Sequence, residues 1–231
     1  MCGRYTIIAT VKEIERRFGV EVPAAYGPRY NAAPTQLLPV ITNESPGQLV
    51  FFRWGLQPSW AMDKATPPLI NSRIETITEK PAFRNSLMQC RCLVPADGYY
   101  EWKRLSKKSK IPYRIGLEKN ELFSFAGIWT VAVDEKQNSR YSFSIITTTA
   151  TNELASIHDR MPVILNREEE KLWLTESFAG GDYTGFLINN MNSKLTYYSV
   201  SSLVNSVNNE GSALIKPALA MDQFGNLDLF G

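Results

Sequence analysis

Apolar positions in this chain recur in short runs broken by turn residues, a rhythm that favours strands over long helices. Leu37–Thr42 and Gln48–Trp54 are expected strands around a turn at Glu44–Gly47. From Arg91 onward the pattern is denser. Cys92–Pro95, Tyr99–Lys103, Tyr113–Leu117, Leu122–Val133 and Tyr141–Thr149 are rich in aromatic and β-branched residues, separated by a Lys-rich loop and the Asp134–Ser139 turn. Two stretches carry helical spacing instead. Thr10 and Glu13 form a capping box, Ile14 and Phe18 share a face, and Gly19 stops the helix. Asn166 to Leu174 opens on the same device, with Asn166 and Glu169. Val22–Pro39 reads as Pro-rich and extended, and Pro58, Pro67 and Pro68 keep the stretch around Trp60 irregular. No βαβ alternation is present. The pattern predicts the α+β class: a single mixed domain with a barrel-like antiparallel β core and short peripheral helices. That domain is expected over residues 1–217, with 218–231 as a weakly periodic C-terminal tail.

Composition narrows the picture only slightly. At 231 residues and 44% apolar content the chain can bury a core without disulfides or metal. Three cysteines, an odd number, argue for a reducing compartment. The opening residues lack a secretory pattern and the apolar runs are too short for a membrane span, so a cytoplasmic location and no membrane partner are expected. A net charge of +2 points to no partner by bulk electrostatics. Lys103, Arg104, Lys107, Lys108 and Lys110 crowd one segment, which reads as a solvated hairpin loop, with a phosphate-facing patch as the lesser alternative.

Candidate chemistry begins at Cys2. Methionine aminopeptidase tolerates a residue this small behind Met1, and its product would carry an α-amine and a thiol on adjacent carbons. Such a 1,2-aminothiol condenses with an aldehyde to an imine and closes to a thiazolidine. Both groups titrate near neutrality, at about 8 and about 8.5. His158 is the one histidine, so any imidazole acid–base chemistry must be its own. Glu101 interrupts the aromatic run Tyr99–Trp102, where burial would raise its pKa toward that of a general acid. An edge-strand glutamate pairing with a lysine would look the same. Asn71, Arg73 and Glu75 share one side of an extended segment. The amide is suited to a sugar or oxyanion and the guanidinium to a phosphate. Cys90 and Cys92 lack a second pair and a histidine partner for zinc, and alternation would aim both thiols into the core. No metal or other cofactor is expected, and no nucleotide-binding glycine motif occurs.

The segments MCGRY, RYNAAP, FRWGL with PSW, INSRIET, PADGYYEW and IHDRMPVIL, in that order, closely resemble the SOS-response-associated peptidase (SRAP) family, which contains the abasic-site processing proteins. The resemblance spans Cys2 to about Pro217. It implies a covalent thiazolidine between the exposed N-terminal Cys2 and the ring-opened aldehyde of an abasic site in single-stranded DNA, shielding the lesion. It further implies that Asn71 positions the lesion or the closing ring, that Glu101 and His158 handle the proton transfers of sugar ring opening, and that Glu101 assists reversal. Arg4, Arg73 and Arg160 become phosphate contacts, and Trp60 a base-stacking platform. A monomer in a bacterial or phage-host cytoplasm is the matching expectation. Two other readings use the same residues. One is an N-terminal-nucleophile peptidase or amidohydrolase in which Cys2 attacks amides and removes its own Met1. The other is a non-covalent reader of modified DNA.

Overall fold

The computed structural model describes residues 2–61, 67–118, 121–134, 136–175, 182–189 and 194–227. Strands dominate: β1 (Tyr5–Ile7), β2 (Arg29–Ala32), β3 (Leu37–Thr42), β4 (Val50–Trp54), β5 (Asn71–Arg73), β6 (Arg91–Ala96), β7 (Gly98–Arg104), β8 (Lys110–Leu117), β9 (Phe123–Val133), β10 (Ser139–Thr149), β11 (Arg160–Pro162), β12 (Ile164–Leu165) and β13 (Leu195–Ser199). The helices are α1 (Val11–Phe18), α2 (Pro81–Gln89), α3 (Arg167–Thr175) and α4 (Tyr183–Asn189). None of the described helices is long and apolar enough to cross a membrane.

Five strands close on themselves in the order β10-β4-β3-β6-β9, with β9 returning to β10 over Ser139–Ile145. The expected barrel is therefore present, as a mixed one. The β10–β4 joint is parallel, while the other four are antiparallel. Trp54, Phe125 and Phe143 are fully buried, which explains the aromatic density of these runs. A second sheet, β13-β8-β7-β1-β2, packs against the barrel. Tyr5 of β1 joins the two layers, meeting Trp54 and Phe125 edge-on at centroid distances of 5.3 and 5.9 Å.

Both expected helices form where their caps predict. Thr10 and Glu13 make the reciprocal capping box, and Gly19 ends α1 at φ 69°, a left-handed conformation that favours glycine. At α3, Glu169 accepts from the Asn166 N–H at 2.7 Å while Asn166 Oδ1 accepts from the Glu169 N–H at 3.0 Å. A forked pair from Arg17 to Glu170, 2.8 Å on each arm, ties α1 to α3.

Three local expectations need correction. The side shared by Asn71, Arg73 and Glu75 is broken, because β5 ends at Arg73 and Glu75 lies in a 3₁₀ turn, Ile74–Thr76. Cys90 does not face the core from a strand; it caps the C-terminus of α2 half-buried, while Cys92 alone is buried on β6. Helices α2 and α4 were not foreseen, although Pro81 at the start of α2 is a fitting helix opener. The Lys-rich segment forms the β7–β8 hairpin connection, and residues 218–227 lie against it.

Candidate active site

The two sheets bring four side chains to one place from distant parts of the sequence. Cys2 leads into β1, which sits between β7 and β2. Pairing of Tyr5 with Tyr99 and of Thr6 with Gly98 lays the N-terminus beside the strand that carries Glu101. Asn71 opens β5, the short parallel strand on β10, and reaches across to donate from Nδ2 to the Cys2 carbonyl at 2.9 Å. His158 comes from the turn that ends at β11, where its N–H bonds the Leu154 carbonyl at 3.0 Å. Its Nε2 stands 3.9 Å from Glu101 Oε2, an electrostatic contact longer than a hydrogen bond.

Electrostatics tunes these groups in different directions. Cys2 is fully buried. Burial pushes its thiol well above the ordinary value and the Glu101 charge adds to the rise, while the Arg4 backbone N–H works against it. Burial likewise lifts Glu101 to about 7, opposed chiefly by the charge of the chain's amino terminus and less by the Trp102 N–H, with Asp159 adding like charge. Near neutrality this carboxyl can both give and take a proton. Burial lowers His158, against the pull of Asp159. Its Nδ1 accepts the Arg160 N–H at 3.0 Å, so the neutral ring carries its proton on Nε2, toward Glu101. Asp159 Oδ1 lies 2.9 Å from the same Nδ1 and is the partner of the protonated ring. Asn71 keeps a second capability: its buried Oδ1 has no hydrogen-bond partner among the described residues.

Outside this cluster, an open groove of about 670 Å³ runs from Asn71 past Arg73, Trp60, Leu69, Lys80 and Phe83. Trp60 is 56% exposed there, beside two cations. The arginines divide. Arg73 is exposed on the groove. Arg160 forks onto Glu75 at 2.5 and 2.9 Å and also donates to the Thr147 carbonyl at 2.8 Å. Arg4 donates to Asn31 Oδ1 at 2.8 Å and to the Val204 and Asn205 carbonyls at 2.7 and 3.2 Å. Both are held by protein groups. Asn31, Glu75, Thr147 and Lys80 were not singled out as working parts. For Asn31 a signal existed, since a buried asparagine inside the RYNAAP run calls for partners, and it donates to the Ser206 and Asn209 carbonyls, each at 2.9 Å. Among the described residues no group of three His, Cys, Asp or Glu side chains is placed to hold a metal ion.

A model of the family described as SOS response associated peptidase (SRAP) matches residues 1–207. The chain belongs to the SRAP family. Among its relatives, the abasic site processing protein YoqW of Bacillus subtilis is 43% identical over 222 residues, covering 94% of this SRAP chain and 99% of that one. The Escherichia coli abasic site processing protein YedK is 31% identical, covering 94% of this chain and all of the other. In structure, the SRAP chain is similar to a crystal structure of a protein from Bacteroides thetaiotaomicron, with a TM-score of 0.82 at 29% identity, covering 94% and 100% of the two chains.

Proposed function

We propose that this protein processes abasic sites in single-stranded DNA by linking them covalently to its N-terminal Cys2 once Met1 has been removed. The observation that carries this reading is the seat of Cys2. Its carbonyl is held by Asn71 while a carboxyl of pKa about 7 and a neutral imidazole stand beside it.

The chemistry balances as follows. The abasic deoxyribose opens from hemiacetal to aldehyde, with one proton taken from the 1-hydroxyl and one returned to the ring oxygen. The Cys2 amine adds to the aldehyde carbon and water leaves, giving an imine. The Cys2 sulfur then bonds to the same carbon, its proton passes to the nitrogen, and the five-membered ring closes. The net loss is one water. Glu101 serves the proton movements, since burial places it near neutrality. His158, with 27% of its side chain exposed, exchanges protons between Glu101 and solvent. Asn71 fixes the Cys2 backbone through Nδ2 and offers Oδ1 to a sugar hydroxyl or to the amine. Trp60, Arg73 and Lys80 line the path for the flanking strand, with stacking from the ring and phosphate contacts from the cations. Arg4 and Arg160 act from behind this surface, by holding β1 and the His158 turn.

The test is a denaturing gel with intact-mass analysis after mixing Met1-processed protein with single-stranded DNA carrying one abasic site. A band of mass protein plus DNA minus one water, absent for Cys2→Ala, is the expected result. A Cys2→Ala protein that still cross-links would overturn the proposal. Cleavage of peptides without any cross-link would transfer the site to amide hydrolysis.

A further inference from the structure

Three tyrosines of this fold have an acceptor built for their hydroxyl. Tyr26 donates to the Ala9 carbonyl at 2.7 Å, Tyr100 to the Tyr30 carbonyl at 2.9 Å and Tyr198 to the Ile215 carbonyl at 2.8 Å. Tyr5 and Tyr99 differ. Both are fully buried, and neither hydroxyl has a hydrogen-bond partner among the described residues. A hydroxyl shut away from water without an acceptor costs stability, and a phenylalanine would fill the same space without that cost. The two phenols form one construction. Tyr5 of β1 and Tyr99 of β7 are opposite each other across the antiparallel ladder, so their side chains leave the same face of the sheet. Each ring meets Phe125 of β9 edge-on at 5.9 Å, and Trp54 meets Tyr5 as well, at 5.3 Å. Packing of this kind fixes where the oxygens stand and leaves only the O–H rotors free.

Cys2 belongs to the same buried cluster as both rings, and Tyr5 follows it closely on the chain. Among the neighbouring charges, that of Cys2 bears most strongly on both hydroxyls. It ranks ahead of Tyr26, Cys92 and Arg29 at Tyr5, and ahead of Glu101 at Tyr99. Burial first, and that charge second, push both phenols well above their ordinary range, so each stays an O–H donor near neutrality. The sulfur has the complementary need. Burial and the Glu101 charge oppose its ionisation, with the chain's amino terminus and the Arg4 N–H working the other way. We propose that the Tyr5 and Tyr99 hydroxyls donate hydrogen bonds to the Cys2 sulfur, a two-phenol cradle that steadies negative charge there as the S–C bond forms. The proposal rests on the reading of Cys2 as the nucleophile given above. Neither bond is made while Met1 is attached and the thiol neutral, which leaves both hydroxyls unpartnered. No net proton moves through the phenols, because the thiol proton passes to the nitrogen. Each O–H tightens on the sulfur while charge develops and relaxes in the closed ring, whose thioether is a weak acceptor.

The test uses the full Met1-processed chain with Tyr5→Phe, Tyr99→Phe and both together. Iodoacetamide is the probe. Its rate of reaction at Cys2 is followed from about pH 7 to about pH 10 by mass analysis of the N-terminal peptide, which separates Cys2 from Cys90 and Cys92. Each single variant should slow alkylation at fixed pH about threefold, and the double variant at least about tenfold. The latter displaces the thiol profile upward by about one pH unit, as expected of lost hydrogen bonds to a charged group. Urea melts should find the variants at least as stable as the parent, since an unpartnered hydroxyl has been removed. An unchanged alkylation profile overturns the cradle, whether stability holds or falls; a fall would make the hydroxyls purely structural. The single variants carry the comparison where the double variant fails to fold. Cross-linking of a single-stranded abasic oligonucleotide should slow by a similar factor. A displaced profile in a protein that forms no cross-link supports the cradle and sinks only the proposed function.

Discussion

Replacing Glu101 with glutamine isolates the cost of keeping a carboxylate in the seat of Cys2. Folded, this carboxyl titrates at about 7, against an ordinary value of 4.5. The native state therefore binds its proton more tightly than the unfolded chain does. The resulting stabilisation is complete below about pH 4.5 and is lost as pH rises through about 7. At about 1.4 kcal/mol per pH unit, the gap amounts to about 3 kcal/mol, a large share of the stability of an ordinary domain. Glu101→Gln keeps the shape and removes the charge, so the variant should match the parent below about pH 4 and exceed it by up to about 3 kcal/mol at pH 9. Urea unfolding at pH 4, 7 and 9 reads this directly. The groups that bear on Glu101, namely the chain's amino terminus, Asp159, the Trp102 N–H, His158 and the Cys2 thiol, are the same in both proteins. Parallel stability curves across that range would refute the reasoning, because they would mean that Glu101 has solvent or partners enough to ionise normally. The same variant should cross-link abasic DNA at least roughly a hundredfold more slowly near neutrality, the usual weight of a lost acid–base group.

Asn71→Ala removes the bond to the Cys2 carbonyl and should slow cross-linking at least tenfold in a gel time course, at a stability cost of about 1 kcal/mol. Trp60→Ala leaves unfolding unchanged, since the ring is 56% exposed, but should weaken single-stranded DNA binding by about 1–3 kcal/mol in fluorescence titration. Arg114→Leu strands a buried Asp97, now 2.9 Å from the guanidinium, and should lower stability by about 3–5 kcal/mol in denaturant melts.

The strand-rich half was legible in the sequence because its apolar runs are long and its turns polar. Tyr99–Lys103 and Tyr141–Thr149 lie inside β7 and β10 with only their ends extended. Local chemistry also exposed both capped helices. Sequence does not carry the parallel joint of β4 to β10, because neither strand's side-chain pattern encodes the direction of its partner. The candidate cluster was legible residue by residue through chemical rarity: a second-position cysteine, a lone histidine, and a carboxylate among aromatics. The engagements of the arginines were not. Arg4, Arg73 and Arg160 are alike in sequence, yet Arg160 meets Glu75, 85 positions earlier, and Arg4 meets the backbone at Val204, 200 positions later. Only Arg73 faces an open groove. Such partners are set by tertiary closure, which spacing along the chain does not report.

That long reach of Arg4 fixes an order of events in the birth of the protein. The strand beside Cys2 is clamped by Asn31 and by carbonyls at Val204 and Asn205, so the seat of the nucleophile is finished only after nearly the whole polypeptide has left the ribosome. Until then the first residues are an open tether, accessible to the processing enzymes that wait at the exit tunnel. On the proposed function, removal of the initiator residue has its natural time slot during synthesis, and the folding of the C-terminal segment from Val204 shuts it. On that reading the end that carries Cys2 is trimmed while it is soft and only then locked into place.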